Sequence, residues 1–351
     1  MSKLKNGKKA NYSNIGNIPV YGANGIIGYT DKPNSPKNAI IIGRVGANAG
    51  SVFYSFKEHW VSDNAISVLP INDRVNPYYL YYALFKLDLN RLVEGSAQPL
   101  INQTILNSFD ISIPDIVFQD KVVEKILILD KKISLNKHIN DNLSKLQQLN
   151  LSQLINRKLY KIVKIGDLEI IVSDHVANGS FKSLKDNVSY FDNPNYALFI
   201  RNIDFKKDLD GNKKYIDKKS YNYLKKSHLF GGEVVISNVA DVGSVHRVPF
   251  IKKPMVVGNN QIFIKSKHFS MTDYLYVYFQ SFWGQSSISS ITSGSAQQKF
   301  NKTDFRSLEI PIPSEKWIQS NISPYVTLQD KIFNENQSLK QIKATLLNHC
   351  F

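Results

Sequence analysis

The sequence predicts an α+β protein, in which two mixed α/β globular domains are joined by two long helices that form an antiparallel coiled coil. Three observations predict this architecture: an internal repeat, a strand-and-turn texture before each copy of the repeat, and a helical periodicity after each copy. With 351 residues, of which 42% are hydrophobic and 11% aromatic, the chain has the length and apolar content for two separate cores.

The repeat is the strongest of these signals. Residues 95–114 (GSAQPLINQTILNSFDISIP) align with residues 294–313 (GSAQQKFNKTDFRSLEIPIP) at a constant offset of 199, and 10 of the 20 aligned positions are identical. Chance gives only one or two matches over such a length, so the chain is an internal duplication.

Weaker matches continue upstream of the repeat. Residues 41–52 resemble residues 234–245, and the tripeptide at 79–81 recurs at 274–276. Because the offset drifts between these matches, the two copies differ by small insertions, which surface loops tolerate.

Residues 1–115 form the first predicted domain. Gly, Asn and Pro punctuate this stretch and separate short runs rich in Ile, Val, Tyr and Phe, which is typical of strands bounded by turns. The predicted strands are NAIIIGRVG, GSVFYSF, NAISVLPI and FDISIP, whereas residues 77–92 have a helical pattern.

Residues 116–159 form the first predicted long helix, because they contain neither Gly nor Pro and their apolar residues recur at steps of three and four. Such a helix is on the order of 60 Å long at ~1.5 Å per residue. Its predicted seam contains Leu129, Ile133, Asn136 and Leu143. An asparagine at a seam position costs stability but fixes the register of pairing.

The strand-and-turn texture returns in residues 160–313, the second predicted domain, and a second long helix is predicted over residues 314–351. Its seam residues Ile332, Leu339 and Leu346 are spaced by sevens. Pro324 is expected to bend this helix or delay its start. The two helices either pair with each other, which is the arrangement we favour, or pack each on its own domain.

The chain is strongly basic, with 44 Lys and Arg against 29 Asp and Glu, a formal net charge of +15. Such an excess favours a polyanionic partner, although it also suits a protein that charge merely keeps in solution. No apolar run reaches the ~20 residues that span a bilayer, and no apolar stretch of a signal peptide follows the basic N-terminus. Together with a single cysteine, Cys350, these features predict a cytoplasmic protein without membrane association.

The sequence shows no catalytic motif. Residues 192–196 (DNPNY) are similar to the loop with which amino-methyltransferases hold a target base, but the second proline and a Gly-rich cofactor loop are missing, so we interpret them as a turn. Residues 43–51 (GRVGANAGS) lack the lysine of a P-loop and are better interpreted as a tight strand connection. Neither a Mg²⁺-binding acidic cluster nor a metal-ligand spacing of histidines is apparent. We expect no metal site and no catalysis by this chain on its own.

Polar side chains that are suited to reading base edges occur in both predicted domains. Arg, Lys, Asn and Gln make most direct contacts to bases, supported by contacts to phosphates. Each such residue is also commonly found in turns or on the solvated surface. The Gly-Ser-Ala-Gln that both domains share is best interpreted as a turn of the common scaffold. Replacing Arg44 or Arg247 with Ala is expected to weaken DNA binding. The candidates are Tyr21, Asn24, Arg44, Asn48, Asn64 and Gln98 in the first domain, and Lys182, Arg201, Asn202, Asn238, His246, Arg247, Gln297 and Lys299 in the second.

Several phrases in combination resemble the specificity subunits of Type I restriction-modification systems. They are residues 18–31 (IPVYGANGIIGYTD), 40–52 (IIIGRVGANAGSV), 60–68 (WVSDNAISV) and 94–106 (EGSAQPLINQTIL). The Ile-Pro-Ile-Pro run before Ser314 and the two long helices belong to the same resemblance, which covers nearly the whole chain.

The resemblance implies that each globular domain is a target-recognition domain for one half of a split DNA sequence, and that the coiled coil sets the gap between half-sites. It also implies a non-catalytic subunit without a cofactor of its own. The implied partners are double-stranded DNA, two DNA adenine methyltransferase subunits that use S-adenosylmethionine, and restriction subunits that use ATP and Mg²⁺ to translocate and cut. The alternative is a two-domain coiled-coil scaffold without DNA specificity.

The two predicted domains differ at their starts. The second has about 80 residues, beginning KIVKIGDL at Lys161, before its Gly243-Ser244-Val245, whereas the first has 49 residues before Gly50. Members of the family usually begin with a segment like residues 164–168, and the first domain has no counterpart. We interpret this either as N-terminal truncation of the first domain or as a shorter class of recognition domain.

Overall fold

The computed structural model describes residues 2–92, 100–295 and 297–351. The chain divides into two compact units, of which one comprises Met1–Ile133 with Leu339–Phe351 and the other Ser134–Ser338. Each unit contains mixed sheets and packed helices, so the predicted α+β class is confirmed. Among the described residues, no helix is long and apolar enough to cross a bilayer.

The first domain contains a four-stranded antiparallel sheet of order β1-β7-β4-β5 and a three-stranded sheet of order β3-β2-β6. Helix α1 covers the larger sheet, and Ile40, Val68, Leu80 and Leu84 form the core between them. The strands are β1 (Ser2–Asn6), β2 (Ile18–Gly22), β3 (Gly25–Thr30), β4 (Ala39–Gly43), β5 (Val52–Ser55), β6 (Trp60–Val61) and β7 (Ala65–Pro70), and the α-helices are α1 (Pro77–Lys86) and α2 (Gln103–Asn107).

The long helix α3 (Ile116–Asn156) follows the first domain without interruption. It ends three residues before the predicted end at Leu159, because Lys158 adopts a left-handed backbone conformation with φ of 54° that cannot continue a helix.

The second domain repeats the larger sheet in the order β15-β14-β17-β9 and adds a five-stranded sheet of order β10-β12-β11-β16-β13. The strands are β8 (Tyr160–Lys164), β9 (Ile170–Asp174), β10 (Tyr190–Phe191), β11 (Ala197–Ile200), β12 (Lys214–Ile216), β13 (His228–Leu229), β14 (Val234–Ser237), β15 (Val245–Arg247), β16 (Met255–Val257), β17 (Gln261–Ser266) and β18 (Glu309–Pro313). The α-helices are α4 (Phe181–Asn187), α5 (Asn202–Lys206), α6 (Lys218–Tyr223), α7 (Phe269–Gln280), α8 (Phe282–Ser290) and α9 (Lys302–Ser307).

Strand register extends the duplication beyond the sequence repeat. Ile42 on β4 lies opposite Val52 on β5, as Ile236 on β14 lies opposite Val245 on β15. On the other side of the same strands, Ile42 pairs with β7 and Ile236 with β17 in the same way. Strands β1, β7, β4 and β5 therefore correspond to β9, β17, β14 and β15, and the duplication covers the whole larger sheet.

One predicted strand of the first domain is not formed. The run FDISIP was expected to be a strand, but residues 109–114 lie outside every strand, whereas their counterpart β18 pairs antiparallel with β8. A strand needs a hydrogen-bonding neighbour, and among the described residues no segment takes the part of β8 in the first domain. Apolar and polar residues alternate in 109–114 as they do in a strand, but the described residues of the first domain provide no strand that pairs with this segment.

The second long helical segment forms two helices, α10 (Glu315–Asn321) and α11 (Ser323–Cys350), rather than one. Ile322 breaks the helical backbone with φ of −124°. Pro324 lies in the first turn of α11, where its missing N–H costs no hydrogen bond, so it delays the start of the long helix as expected.

Helices α3 and α11 pair antiparallel within each unit. In the second unit, Asn136 contacts Glu335 and Asn336, while Gln147 contacts Gln329. In the first unit, Ile126 packs with Leu347 and Asp130 binds Lys343. The pairing that we favoured from the sequence is therefore present. Of the predicted seam residues, Asn136, Leu143 and Ile332 are buried, and Leu129, Ile133, Leu339 and Leu346 are half-buried.

Candidate nucleic-acid interface

In the second domain, several loops converge where strands β11, β14 and β16 end. Backbone hydrogen bonds join them: Gly258 N donates to Ile200 O at 2.7 Å, and Asn238 N donates to Asn260 O at 3.1 Å. The repeated segment joins the same place, since Phe300 N donates to Asn238 O at 3.1 Å. We name the second-domain loop cluster by its residues, 201–202, 238–243, 258–260 and 297–299.

The first domain builds an equivalent surface with the same hydrogen bonds. Ser62 N donates to Tyr21 O at 2.9 Å, and Arg44 N donates to Asn64 O at 2.9 Å. Ile101 N donates to Arg44 O at 2.9 Å, as Phe300 does to Asn238. The first-domain loop cluster comprises residues 22–24, 44–50, 62–64 and 100–103.

A glycine closes the longest loop of each cluster. Gly50, at φ of 86°, donates its N–H to Gly43 O at 2.8 Å, and Gly243, at φ of 84°, donates to Ser237 O at 3.0 Å. A Cβ on Gly50 would lie 2.6 Å from the backbone nitrogen of Asn90. Both the positive φ and the close backbone require glycine here. The interpretation of residues 43–51 as a tight strand connection is confirmed.

The repeat itself builds scaffold at its helical part. Asn102 caps α2 by accepting from Ile105 N, and its counterpart Asn301 caps α9 by accepting from Asp304 N. A side chain with the same capping role in both copies carries no base-specific information, which agrees with a scaffold function for this part of the repeat.

The predicted first-domain residues gather in the first-domain loop cluster. Asn24 and Asn64 are exposed, while Arg44 and Asn48 are half-buried. Among the described residues, Nε of Arg44 is buried without a hydrogen-bond partner. Tyr21 packs edge-on against His59, with ring centroids 5.4 Å apart. Gln98 lies outside the described residues.

Asn202 and His246 lie together at the second-domain loop cluster. The imidazole Nε2 of His246 lies 2.8 Å from Oδ1 of Asn202, whose Nδ2 donates to Asp241 at 2.5 Å. Asp241 also forms a 2.7 Å ion pair with Lys206. Burial and the charge of Lys206 lower the pKa of His246 to about 4, so the ring is neutral at neutral pH. His246 therefore positions Asn202 and does not supply positive charge to a phosphate.

The remaining second-domain candidates differ in availability. Gln297 and Lys299 are exposed, and Nδ2 of Asn238 donates to Phe300 O at 3.1 Å. Arg201 directs its guanidinium to Asp204, with donor distances of 2.9 and 2.7 Å, so it fastens the start of α5. Lys182 is exposed on α4, which packs against α6 and the five-stranded sheet, and its DNA contact stays a prediction.

The side chain of Arg247 is engaged in two ion pairs. Its side chain is 9% exposed and forms ion pairs with Asp273 at 2.9 Å and with Asp330 at 3.0 Å. Burial raises the pKa of both carboxyls, and the guanidinium counteracts that shift. Because its Nε donates to Asp330 on α11 and its Nη2 pairs with Asp273, Arg247 joins the domain to helix α11, and the DNA contact expected of it stays a prediction.

A tyrosine cluster joins the first domain to the helices. The hydroxyls of Tyr78 and Tyr82 donate to Asp130 on α3 at 2.9 and 3.0 Å, and Lys343 on α11 binds the same carboxylate at 2.5 Å. Tyr54 packs against Tyr78 with ring centroids 4.8 Å apart. Sequence reasoning missed this cluster, although the repeat contained the signal.

The signal is the alignment of the tyrosines with residues of the second domain. Val52 corresponds to Val245, so two residues further on Tyr54 corresponds to Arg247. The repeated tripeptides at 79–81 and 274–276 likewise align Tyr78 with Asp273. The packed Tyr54 and Tyr78 of the first domain therefore occupy the positions of the ion pair between Arg247 and Asp273 in the second domain.

The chain belongs to the family described as Type I restriction modification DNA specificity domain, whose sequence profile matches residues 2–145 and 158–346. Among the described residues, no group of three or more His, Cys, Asp or Glu is arranged to hold a metal ion.

A curated relative and two solved structures are similar to this chain. The Type I restriction enzyme EcoprrI specificity subunit of Escherichia coli is 28% identical over 123 residues, which cover 35% of this chain and only 30% of that protein. The Type I restriction-modification S subunit of M. genitalium matches with a TM-score of 0.61 and 17% identity, covering 100% of this chain and 93% of that one. The HsdS subunit of Thermoanaerobacter tengcongensis matches with a TM-score of 0.33 and 12% identity over 95% and 90% of the two chains. The M. genitalium match supports the same fold.

Proposed function

We propose that this chain is the DNA sequence-specificity subunit of a Type I restriction-modification complex. Each domain reads one half of a bipartite site through its loop cluster, and the α3–α11 coiled coil sets the spacer and docks two DNA adenine methyltransferase subunits. The observation that carries the proposal is the pair of loop clusters, which share backbone hydrogen bonds while their exposed side chains differ. One scaffold with two sets of polar side chains is suited to two different half-sites.

The chain is proposed to be non-catalytic and to hold no cofactor. S-adenosylmethionine, ATP and Mg²⁺ are then used by the methyltransferase and restriction subunits. As its ligand is double-stranded DNA, we propose that the protein acts in the cytoplasm. A two-domain scaffold without DNA specificity is less favoured, because a scaffold does not require two matched loop surfaces on a chain of net charge +15.

Binding to duplex DNA over a range of salt concentrations tests this proposal. The logarithm of the affinity is expected to fall linearly with the logarithm of salt concentration, by ~0.9 for each phosphate contacted. Lys299→Ala is expected to reduce that slope by about 1. Lys161→Ala removes the same charge from an exposed position on β8 and is expected to leave the slope unchanged.

The measurement is repeated with a Type I modification subunit added. No affinity for DNA in either condition contradicts the proposal, and equal slopes for both variants contradict the assignment of the second-domain loop cluster.

A further inference from the structure

The side-chain amide of Asn202 is held between two groups whose hydrogen-bonding roles are fixed. Its Nδ2 donates to Asp241 at 2.5 Å, and its Oδ1 lies 2.8 Å from Nε2 of His246. Hydrogen bonds from Lys206 and Asn202 lower the pKa of the Asp241 carboxyl, so at neutral pH this group is ionised and can only accept. Nδ2 must therefore face Asp241, and Oδ1 must face His246.

The imidazole of His246 supports this orientation from the other side. Because Oδ1 of Asn202 can only accept, the ring carries its proton on Nε2 and donates it. Oγ of Ser244 lies 2.9 Å from the same nitrogen, and the ring of Phe205 stacks on the imidazole with centroids 5.0 Å apart. These contacts hold the imidazole in place, so the amide keeps one orientation.

Half of the hydrogen-bonding capacity of this amide is left for a ligand. Within residues 2–92, 100–295 and 297–351, the hydrogen bonds of the Asn202 side chain are those to Asp241 and His246. A side-chain amide has two lone pairs and two N–H groups, so one of each remains. In the major groove, adenine alone presents a donor (N6) and an acceptor (N7) on one base, whereas guanine presents two acceptors. The remaining capacity of Asn202 therefore matches adenine.

The amide lies at the surface of the second-domain loop cluster. Asn202 is half-buried, and the side chain of its partner Asp241 is 47% exposed. The carboxylate is paired with Lys206 at 2.7 Å, so its charge is balanced. A DNA strand at the cluster thus meets a neutral amide without an uncompensated negative charge beside it.

The first domain has apolar residues at the positions of this pair. The strand pairings and hydrogen bonds at the ends of β2 and β11 align Ala23 with Asn202, and the register of β5 and β15 aligns Phe53 with His246. The shared backbone therefore forms without the amide and the imidazole. Side chains that are present in one copy alone are suited to a property that differs between the copies, such as the bases that each domain reads.

We propose that Asn202 reads an adenine of the second half-site through N6 and N7 in the major groove, and that Asp241 and His246 are positioning residues that fix the amide orientation. This inference rests on the proposed function and adds the identity of one base. Because Ala23 has no hydrogen-bonding side chain, the half-site of the first domain has no counterpart of this contact.

Selection from a library of random duplex DNA finds the position that Asn202 reads. The full chain with a Type I modification subunit added is expected to enrich a bipartite motif. Asn202→Ala is expected to lower the preference for adenine at one position of one half-site on the order of tenfold, and to leave the other half-site unchanged. Asn222→Ala, at an exposed position of α6, is the matched control and is expected to leave the whole motif unchanged.

Substitution of 7-deazaadenine for each adenine of the motif in turn tests the contact without altering the protein. The analogue keeps its base pairing but lacks the N7 acceptor. At the position that Asn202 reads, it is expected to weaken binding of the natural chain on the order of fivefold, and to have no effect on binding of Asn202→Ala. Because the scan of the natural chain needs no variant, it remains decisive if thermal unfolding shows that Asn202→Ala is not folded.

A double variant tests whether Asp241 acts through Asn202. Asp241→Asn can donate as well as accept, so it no longer fixes the amide and is expected to lower the preference for adenine at the same position. In the Asn202→Ala background it is expected to lower that preference no further, whereas a purely structural role would give the same additional loss in both backgrounds.

The outcomes separate this inference from the proposed function. A bipartite motif in which Asn202→Ala alters no position, or alters a position other than an adenine, overturns the inference and leaves the proposed function in place. Full binding of the natural chain with 7-deazaadenine at every adenine position overturns it as well. If the natural chain enriches no bipartite motif, the proposed function is contradicted together with the inference.

Discussion

The two domains have the same larger sheet and the same loop hydrogen bonds, yet they join the coiled coil with different chemistry. In the first domain the junction consists of Tyr78 and Tyr82, whose hydroxyls bind Asp130, and of Tyr54, which packs against Tyr78. In the second domain it consists of Arg247 between two carboxylates. A duplicated backbone position therefore does not preserve the type of interaction, and an arginine near a recognition loop is not by itself a base reader.

The two junctions also differ in the charge that they bury. The tyrosine junction combines neutral hydroxyls with the Asp130–Lys343 ion pair, whose side chains are 28 and 22% exposed, and burial raises the pKa of Tyr54 to about 12. The arginine junction places one cation between Asp273 and Asp330 at 9, 5 and 18% exposure of the three side chains. A junction that buries charges is the more vulnerable to loss of one partner.

Replacing Arg247 with Met is the largest expected perturbation. It leaves the buried Asp273 and the half-buried Asp330 without a counter-ion and is expected to cost about 3–5 kcal/mol in the free energy of unfolding of the second unit, measured with denaturant. Arg91→Met is the matched control, since that arginine pairs with Asp88 at 83% exposure, and its expected change is within about 0.5 kcal/mol. Equal losses in both variants would contradict a structural role for Arg247.

The same variant is expected to respond to pH. Burial raises the carboxyl pKa values of Asp273 and Asp330, and loss of Arg247 raises them further. A carboxyl whose pKa is raised by folding contributes stability below its unfolded pKa of ~3.9 and loses it as pH rises through the folded pKa. The deficit of Arg247→Met relative to the natural chain should therefore be greatest at neutral pH and smallest near pH ~4. A deficit independent of pH would show that the lost packing, rather than the unpaired charge, is responsible.

Replacing Asp130 with Ala tests the tyrosine junction, with a smaller expected effect. The variant removes the acceptor of two tyrosine hydroxyls, which still contact each other at 3.3 Å, and frees Lys343 to turn to water. The expected cost is about 1–3 kcal/mol in the first unit. Asp141→Ala, at an exposed position of the same helix, should change stability by less than about 0.5 kcal/mol. A loss as large as that of Arg247→Met would remove the distinction between the two junctions.

Local periodicity predicted much of this fold. The heptad spacing identified Asn136, Leu143 and Ile332 as buried seam residues, because helix geometry alone decides which face they share. The strand pattern of residues 109–114 was misleading, since a strand requires a neighbour that alternation does not encode. Among the candidate DNA-contact residues, Asn64 and Lys299 lie exposed in the loop clusters, whereas Arg247 faces carboxylates 26 and 83 residues away along the chain. The local sequence pattern around an arginine does not predict partners that are so distant along the chain.

Mapping methylated adenines in cells that produce this chain with its partner subunits tests the central claim most directly. Asn64 and Asn260 occupy equivalent positions, since each accepts a backbone hydrogen bond, from Arg44 and Asn238 respectively. Exchange of either side chain to Asp preserves its shape and replaces a donor with an acceptor. We predict that Asn64→Asp changes only one half of a bipartite methylated motif and that Asn260→Asp changes only the other half. A motif that both variants alter in the same half, or that neither alters, would contradict the claim that the two loop clusters each read one half-site.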